Sequence, residues 1–295
     1  VAERGGEFID TAHKTMIALA KRFGAALEDV NKPKAAVRYR FAGALIAEAD
    51  IVREFRAFVA TMRDDLRRLS STVTAARHTP ADAAFDRISL AAYLDGANGS
   101  GQPAAPLARA AIVAAYEAEY GLAADAQSCL NFLLFIHADR RGRFQPFGIF
   151  SDERYHLVDG NDRIVTGLAA GLPRPVRTGH RLTRIARASD GRIVLSFDTA
   201  GGAIERRHDQ VVITLPFTVL RGIAIDPGVG IDPRQALAIQ TLGYGTNAKL
   251  MVGLTARPWR ALGGNGAAYS DQADHQTSWE TNPAQANDTR AIITD

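Results

Sequence analysis

A single lysine, Lys249, stands inside the otherwise apolar stretch Leu242 to Trp259, LGYGTNAKLMVGLTARPW, between a glycine-rich turn and a Pro-Trp pair. Gly243 and Gly245 break any helix ahead of it. After it, Leu250, Val252 and Leu254 alternate with Met251, Gly253 and Thr255 in the period-two pattern of a strand. A lysine on such a strand has two uses. On a sheet edge it discourages pairing with other chains; in a cavity it is a fixed ammonium able to hold a water beside a cofactor. The residues alone leave both open. Trp279, in HQTSWET, falls on a predicted strand next to the one bearing Lys249, where it lines a substrate cavity or fills a core.

Other chemistry-bearing residue types do not assemble into motifs. Of the histidines, His13 lies on the more polar side of a predicted first helix and His137 ends an apolar helix. His78, His156, His180, His208 and His275 sit in dissimilar contexts. No pair has HExxH-like spacing, so no metal is expected. GxSxG is absent, which removes the usual serine-nucleophile signature. Cys129 is the only cysteine, so there is no intrachain disulfide and no cysteine-rich metal site. Lys and Arg number 35 against 32 Asp and Glu and are scattered, which argues against a nucleic-acid partner. No apolar run reaches membrane-spanning length and no signal peptide stands out. The expectation is a cytoplasmic protein without a membrane partner, an upstream targeting segment being left open.

The elements that must position Lys249 and Trp279 follow from periodicity. At 295 residues and 46% hydrophobic content the chain can bury a core, with two domains the default expectation. Glu7 to Ile9 reads as a short extended piece ending at Asp10, the predicted N-cap of a helix that stops at Gly24. Ile51, Phe55, Phe58, Met62, Leu66 and Leu69 recur every three or four residues and predict a long helix. Helices over about 104–120 and about 125–138 follow, separated by Gly121. The Gly/Pro/Ser-rich connector Gly96 to Pro106 precedes them. From Phe147 the pattern turns to strands. Val176 to Ala188, Ile193 to Thr199 and Ile204 to Ile213, with turns at Ser189-Asp190-Gly191 and Ala200-Gly201-Gly202, predict a three-stranded antiparallel meander that Pro216 ends. Ser151 to Asp162 reads as a polar hairpin whose turn is Gly160-Asn161.

Four segments in order, GGEFID (Gly5 to Asp10), SDERYHLVDGND (Ser151 to Asp162), VVITLPFTVLR (Val211 to Arg221) and YGTNAKL followed by RPW, resemble the flavin-containing amine oxidase family. The likeness is to its bacterial monoamine and L-amino-acid oxidase branch, and it runs from the first residue to the last. It implies an α+β fold of two lobes, in which a helical block and an antiparallel sheet form the substrate domain. A partial FAD-binding domain carries the meander. In residues, the expectation is 1–31 and 155–238 for the cofactor domain, 32–154 for the helical part of the substrate domain and 239–295 for its sheet. The family's GxGxxG unit, which places a helix N-terminus on the cofactor pyrophosphate, has no counterpart here. The glycine clusters Gly96 to Gly101 and Gly201-Gly202 read as loops. The family's closing flavin-binding segment is not reached before Asp295. The chain therefore resembles the central portion of an amine oxidase.

By this resemblance Lys249 is the catalytic lysine that holds a water against the reactive flavin nitrogen. Gly5 and Gly6 let the backbone pass close to the flavin ring, although a Gly-Gly pair is also an ordinary turn. Glu7, at the cavity edge, and Phe8 belong with the glycines to the cofactor-binding set, as do Leu182, whose backbone lies near the adenine, and Thr214 and Pro216, which follow the meander toward the flavin. Trp279 belongs to the substrate cavity. The implied reaction is oxidative deamination of a primary amine or L-amino acid to the imine, with hydrogen peroxide formed from dioxygen and FAD carrying the difficult step. FAD is expected in the complete enzyme and absent or weakly held in this chain alone. A complementary chain or a homodimer is compatible with the pattern. The alternative is a non-catalytic remnant or interaction subunit that packs against a complementary flavoprotein chain.

Overall fold

The structure is a computed structural model that describes residues 2–31, 35–135, 144, 146, 151–283 and 289–295. In chain order it begins with α1 (Lys14–Arg22), β1 (Leu27–Asp29), β2 (Ala36–Phe41) and β3 (Ala44–Ile46). Five helices follow: α2 (Glu48–Arg68), α3 (Pro80–Asp86), α4 (Leu90–Leu94), α5 (Pro106–Tyr120) and α6 (Cys129–Phe135). Next come β4 (Tyr155–Leu157), α7 (Asp162–Ala170), β5 (Arg181–Arg187), β6 (Ile193–Thr199) and β7 (Gly202–His208). The chain continues through α8 (Phe217–Leu220), β8 (Ala224–Ile225), a 3-10 turn at Pro227–Val229 and α9 (Pro233–Thr241). It closes with β9 (Met251–Leu254), α10 (Pro258–Ala261), β10 (Gly264–Gln272), β11 (His275–Glu280) and β12 (Ala291–Thr294). Two compact units result, one of Val1–Gly167 with Gly245–Asp295, the other of Leu168–Tyr244. Among the described residues no helix is long and apolar enough to cross a membrane.

The core of the first unit is helical. In α2, Ile51, Phe55, Phe58, Val59 and Met62 fall on one stripe and are all buried. Each such side chain contributes roughly 1.5–3 kcal/mol by the apolar area it removes from water. Acidic Glu48 and Asp50 open the helix and Arg67 and Arg68 close it, the arrangement the helix dipole favours. The same cluster takes in Ala108, Ala111, Ile112, Ala115 and Tyr116 of α5, where alanines allow close approach. Glu54 of α2 reaches the start of α5 and accepts from Leu107 N at 2.7 Å and Ala108 N at 3.1 Å, so one carboxylate satisfies two orphan amides. At its other end α5 stops at Gly121, with φ of 61° in the left-handed region.

That end of α5 carries the loop that leads to Lys249. Thr246 N donates to Gly121 O at 3.0 Å, and Asn247 Nδ2 donates to Ala118 O at 2.7 Å. The approach is close enough to demand glycine, since a Cβ on Gly245 would lie 1.9 Å from Tyr120 O.

Six strands of the first unit form one sheet in the order β3-β2-β10-β11-β12-β9. Its pairs are antiparallel except β10 with β2, which run parallel. The hairpin β2-β3 opens a stretch expected to be helical. Val37, Tyr39 and Phe41 alternate there with Arg38 and Arg40, and Ala42 (φ 50°) with Gly43 (φ 78°) makes the two-residue turn. β1 pairs with β4 in a separate two-stranded sheet, and Ile9 bridges to Tyr155. Against these pack Ala20, Ala25, Leu157 and Ile164.

Several expectations need correction. The first helix starts at Lys14 with His13 at its N-cap, because the Asp10 carboxylate is occupied by Ser151 Oγ (2.8 Å) and Glu153 N (2.7 Å). Ser151 to Asp162 is a strand, a turn at Gly160 (φ 93°) and the start of α7, with β4 pairing to β1 instead of folding back on itself. Trp279 is not on the strand next to Lys249, since β12 lies between β11 and β9, in register Trp279–Thr294–Met251. Lys249 itself precedes β9, where Leu250 and Asp295 exchange backbone hydrogen bonds. The boundaries at Lys32 and Phe147, the helix end at Ala138, and His137 lie outside the described residues.

In the second unit β5, β6 and β7 form the antiparallel meander, with β8 added parallel to β5. This sheet is separate from the one containing β9. Ile185, Leu195, Leu220 and Ile239 form the core beneath it. The third strand stops at His208 instead of Ile213; residues 209–216 make no ladder, and Pro216 stands at the N-cap of α8.

Gly121→Ala tests the coupling of α5 to the Lys249 loop. A Cβ there would stand 2.4 Å from Asn247 Oδ1 and 2.7 Å from Thr246 N, on a backbone of positive φ. The expected loss is about 1–3 kcal/mol in urea unfolding, and a loss within a few tenths would show that the contact does not hold the loop.

Candidate active site

The segment Gly5-Gly6-Glu7-Phe8 reaches its place through Asn161, whose side-chain amide donates to Gly6 O at 2.8 Å and Glu7 O at 3.3 Å. Asn161 N in turn donates to Glu3 Oε1 at 2.5 Å. The turn read from Gly160-Asn161 thus holds the glycine segment. With that backbone fixed, the Glu7 side chain points inward and is 2% exposed. Its Oε2 accepts from Trp279 Nε1 at 3.0 Å and faces Lys249 Nζ at 3.5 Å. Lys249 Nζ also donates to Gly5 O at 2.8 Å and lies 5.2 Å from the centre of the Trp279 ring. Phe8 and Trp279 are tilted partners with centroids 6.0 Å apart. Burial pushes the Glu7 carboxyl up from its ordinary value, opposed by the Trp279 hydrogen bond and the Lys249 charge.

These residues line a cavity of about 960 Å³. Its wall also contains Glu119, from the last turn of α5, and Glu153, whose backbone sits at φ 42°. Burial pushes Glu153 up to about 7, and the negative charges of Glu119, Asp10, Glu7 and Asp152 add to the effect. Glu119 is raised by burial and then by Asp10. Neither carboxylate receives a hydrogen bond from the described residues. Tyr269 lies on the same wall, stacked on Tyr39 at 5.7 Å, and burial raises its phenol. The Arg-Pro-Trp element is a lock: Arg257 Nε (2.6 Å) and Trp259 Nε1 (3.0 Å) both donate to Glu280 on β11. Among the described residues no group of His, Cys, Asp and Glu could hold a metal ion.

The sequence profile of the flavin-containing amine oxidoreductases matches residues 1–293. The chain belongs to that family. Its fold is shared with a double mutant of putrescine oxidase made in a redesign of cofactor binding, at 17% identity and a TM-score of 0.75. It is shared equally with wild-type putrescine oxidase bound to putrescine, at 16% and 0.75. Cyclohexylamine oxidase from Brevibacterium oxydans gives 17% and 0.74. Each match covers 99% of this chain, but only 64%, 64% and 63% of the other. A search of curated proteins gives no significant sequence match.

The family uses FAD in its complete enzymes, and the glycine segment leaves the space beside it open. A Cβ added at Gly5 or Gly6 would meet nothing within 4 Å, so both glycines border open space. The structure brings Gly5, Gly6, Glu7, Phe8, Lys249 and Trp279 to one cavity. Leu182, Thr214 and Pro216 belong to the second unit, where Leu182 pairs with Phe197 and packs on that unit's core, and Thr214 and Pro216 are exposed. Sequence reading missed Glu119, Glu153, Tyr269 and Glu280. Glu153 lies within the Ser151 to Asp162 segment without being singled out there, no motif marks the other three, and Tyr269 and Glu280 fall on readable strands.

A carboxyl whose folded value is raised from 4.5 to about 7 binds its proton more tightly in the folded state. Its effect on stability is therefore absent at acid pH and grows unfavourable as pH rises through that window. Glu153→Gln removes it. The variant should gain stability over wild type progressively between about pH 5 and about pH 8 in denaturant titrations; a difference constant with pH would mean Glu153 titrates normally.

Proposed function

We propose that this chain is the central portion of an FAD-dependent amine oxidase that deaminates a primary amine lacking a carboxylate. The observation that supports it best is the convergence of Gly5, Gly6, Lys249 and Trp279, from both ends of the sequence, on one cavity. In this reading residues 168–244 contribute to the cofactor-binding half. Gly5 and Gly6 would border the flavin ring. Bound FAD supplies the two-electron acceptor and, with dioxygen, the source of hydrogen peroxide.

The chain's own residues bind, orient and handle protons. An ammonium has three N–H donors; Lys249 directs them at Gly5 O, at Glu7 and at the cavity, where the third can hold a water. Trp279, Phe8 and Tyr269 supply apolar walls that exclude bulk water and hold the reacting carbon. An incoming amine is an ammonium and must lose a proton before hydride can leave the carbon bearing nitrogen. Glu153, raised to about 7, is the cavity group with the proton affinity suited to accept it near neutral pH.

Charge favours an amine over an amino acid. A substrate carboxylate needs a free cation, and among the described residues of the cavity wall Lys249 faces Glu7 at 3.5 Å and Arg260 faces Glu280 at 3.7 Å. Glu119 and Glu153 add negative charge. The structures of similar fold are named for amines, putrescine and cyclohexylamine.

Two measurements on the flavin-loaded complete enzyme test the proposal. With an alkylamine and the α-amino acid of the same side chain, kcat/KM should favour the amine by about tenfold or more, a difference of roughly 1.4 kcal/mol; preference for the amino acid would reverse the assignment. Lys249→Met keeps an unbranched stem, so its packing loss should stay under about 1.5 kcal/mol. Flavin reoxidation, followed by stopped-flow absorbance after anaerobic reduction, should slow on the order of a hundredfold, the usual cost of deleting one preorganised donor. An unchanged rate would return Lys249 to an ordinary structural lysine.

A further inference from the structure

Lysine is a flexible four-carbon stem whose ammonium ordinarily reaches for water. At the entry to an exposed edge strand that tendency should be strongest: Leu250, Met251 and Val252, the residues that follow, are 62%, 36% and 41% exposed. Lys249 nevertheless turns inward, and its side chain is only 25% exposed. Something must hold it there. The backbone carbonyl of Gly5 provides one acceptor. A carbonyl is a weak reason for an ammonium to leave solvent, because water offers equivalent acceptors. The charged partner is Glu7.

We propose that Glu7 is the positioning residue of the cavity, its buried carboxylate holding the Lys249 ammonium and the Trp279 indole in one arrangement. A single oxygen, Oε2, serves both groups. The indole is fixed by its N–H, and its ring then lies beside Nζ at 5.2 Å, adding a cation–π contact to the ion pair. Removal of Glu7 thus releases two cavity walls at once. The groups facing this carboxylate are Lys249, Trp279 and, at longer range, Glu3, whose charge opposes it. Asn161 fixes the backbone carbonyl of Glu7, so the clamp is anchored from behind as well. This role differs from contact with the cofactor, and it rests on the reading of Lys249 as the cavity lysine.

The test uses the chain of residues 1 to 295 and needs no flavin. Acetic anhydride labelling with peptide mass analysis gives the rate at Lys249 relative to Lys14 and Lys21, which lie on α1. An amine held inward against a buried carboxylate is shielded from the reagent, whereas one released to solvent is open to it. Glu7→Gln keeps an acceptor for the Trp279 N–H but loses the charge. Labelling of Lys249 in this variant should rise severalfold relative to the two reference lysines as the side chain is released to solvent, with Glu7→Asp between it and wild type. An unchanged ratio in folded Glu7→Gln would overturn the proposal. If Glu7→Gln does not fold, Lys249→Met supplies the second arm. It leaves the Glu7 carboxylate buried without its cation, so Lys249→Met/Glu7→Gln should melt above Lys249→Met alone, and a double variant melting no higher would equally refute the clamp. Flavin reoxidation reports on Lys249 chemistry separately. A clamp found by labelling with no effect of Lys249→Met on reoxidation would retain the positioning role of Glu7 and reject the catalytic reading of the lysine.

Discussion

The last turn of α5 ends in carbonyls that no residue of the helix can satisfy, and the loop carrying Lys249 takes them. Asn247 and Thr246 bond Ala118 and Gly121, and Gly245 lies where any side chain would strike Tyr120. This cap joins the apolar core of α2 and α5 to the cavity. A rigid helix end sets the height of the loop, the loop sets the entry to β9, and Lys249 is aimed from there. The same turn carries Glu119, an acid placed at the negative end of the helix dipole, where it is disfavoured. The cavity thus borrows its geometry from the helical core of the first unit and places there a charge that stability alone would not select.

Charge in the cavity divides into two kinds. Glu7 and Glu280 are buried and paired, Glu7 with Lys249 and Trp279, Glu280 with Arg257, Trp259 and Arg260. Paired carboxylates of this sort specify position, since removing either partner would strand the other. Glu119 and Glu153 have no such partner among the described residues, and their proton affinities rise accordingly. Carboxyls raised in this way on a cavity wall mark candidate functional positions. One set builds the site, and the other faces whatever enters it.

Much of this was legible in the sequence, unevenly. The α2 stripe, the meander turns and the glycine stop of α5 were readable because each is set by local periodicity or by a backbone conformation that glycine favours. Lys249 and Gly5-Gly6 stood out as unusual residues within short motifs. The β2-β3 hairpin has a clear alternation of Val37, Tyr39 and Phe41 with arginines, but it opens a region dominated by helical pattern. Trp279 reads as a neighbour of the Lys249 strand because β12, only four residues long, follows β11 in sequence and inserts between it and β9. Glu119 carries no signal in the sequence, and Glu153 lies in a readable segment without a mark of its own. What distinguishes them from any surface glutamate is a place on the cavity wall with no partner among the described residues, and that exists only after folding.

The account depends on the flavin ring and the amine meeting in the space between Gly5-Gly6, Lys249 and Trp279. An experimental structure of the flavin-loaded complete enzyme tests this most directly. It should show the edge of the ring against the Gly5-Gly6 backbone, with Lys249 Nζ linked to the ring through a single ordered water. A ring bound elsewhere, with Lys249 still closed on Glu7 and remote from it, would contradict the account.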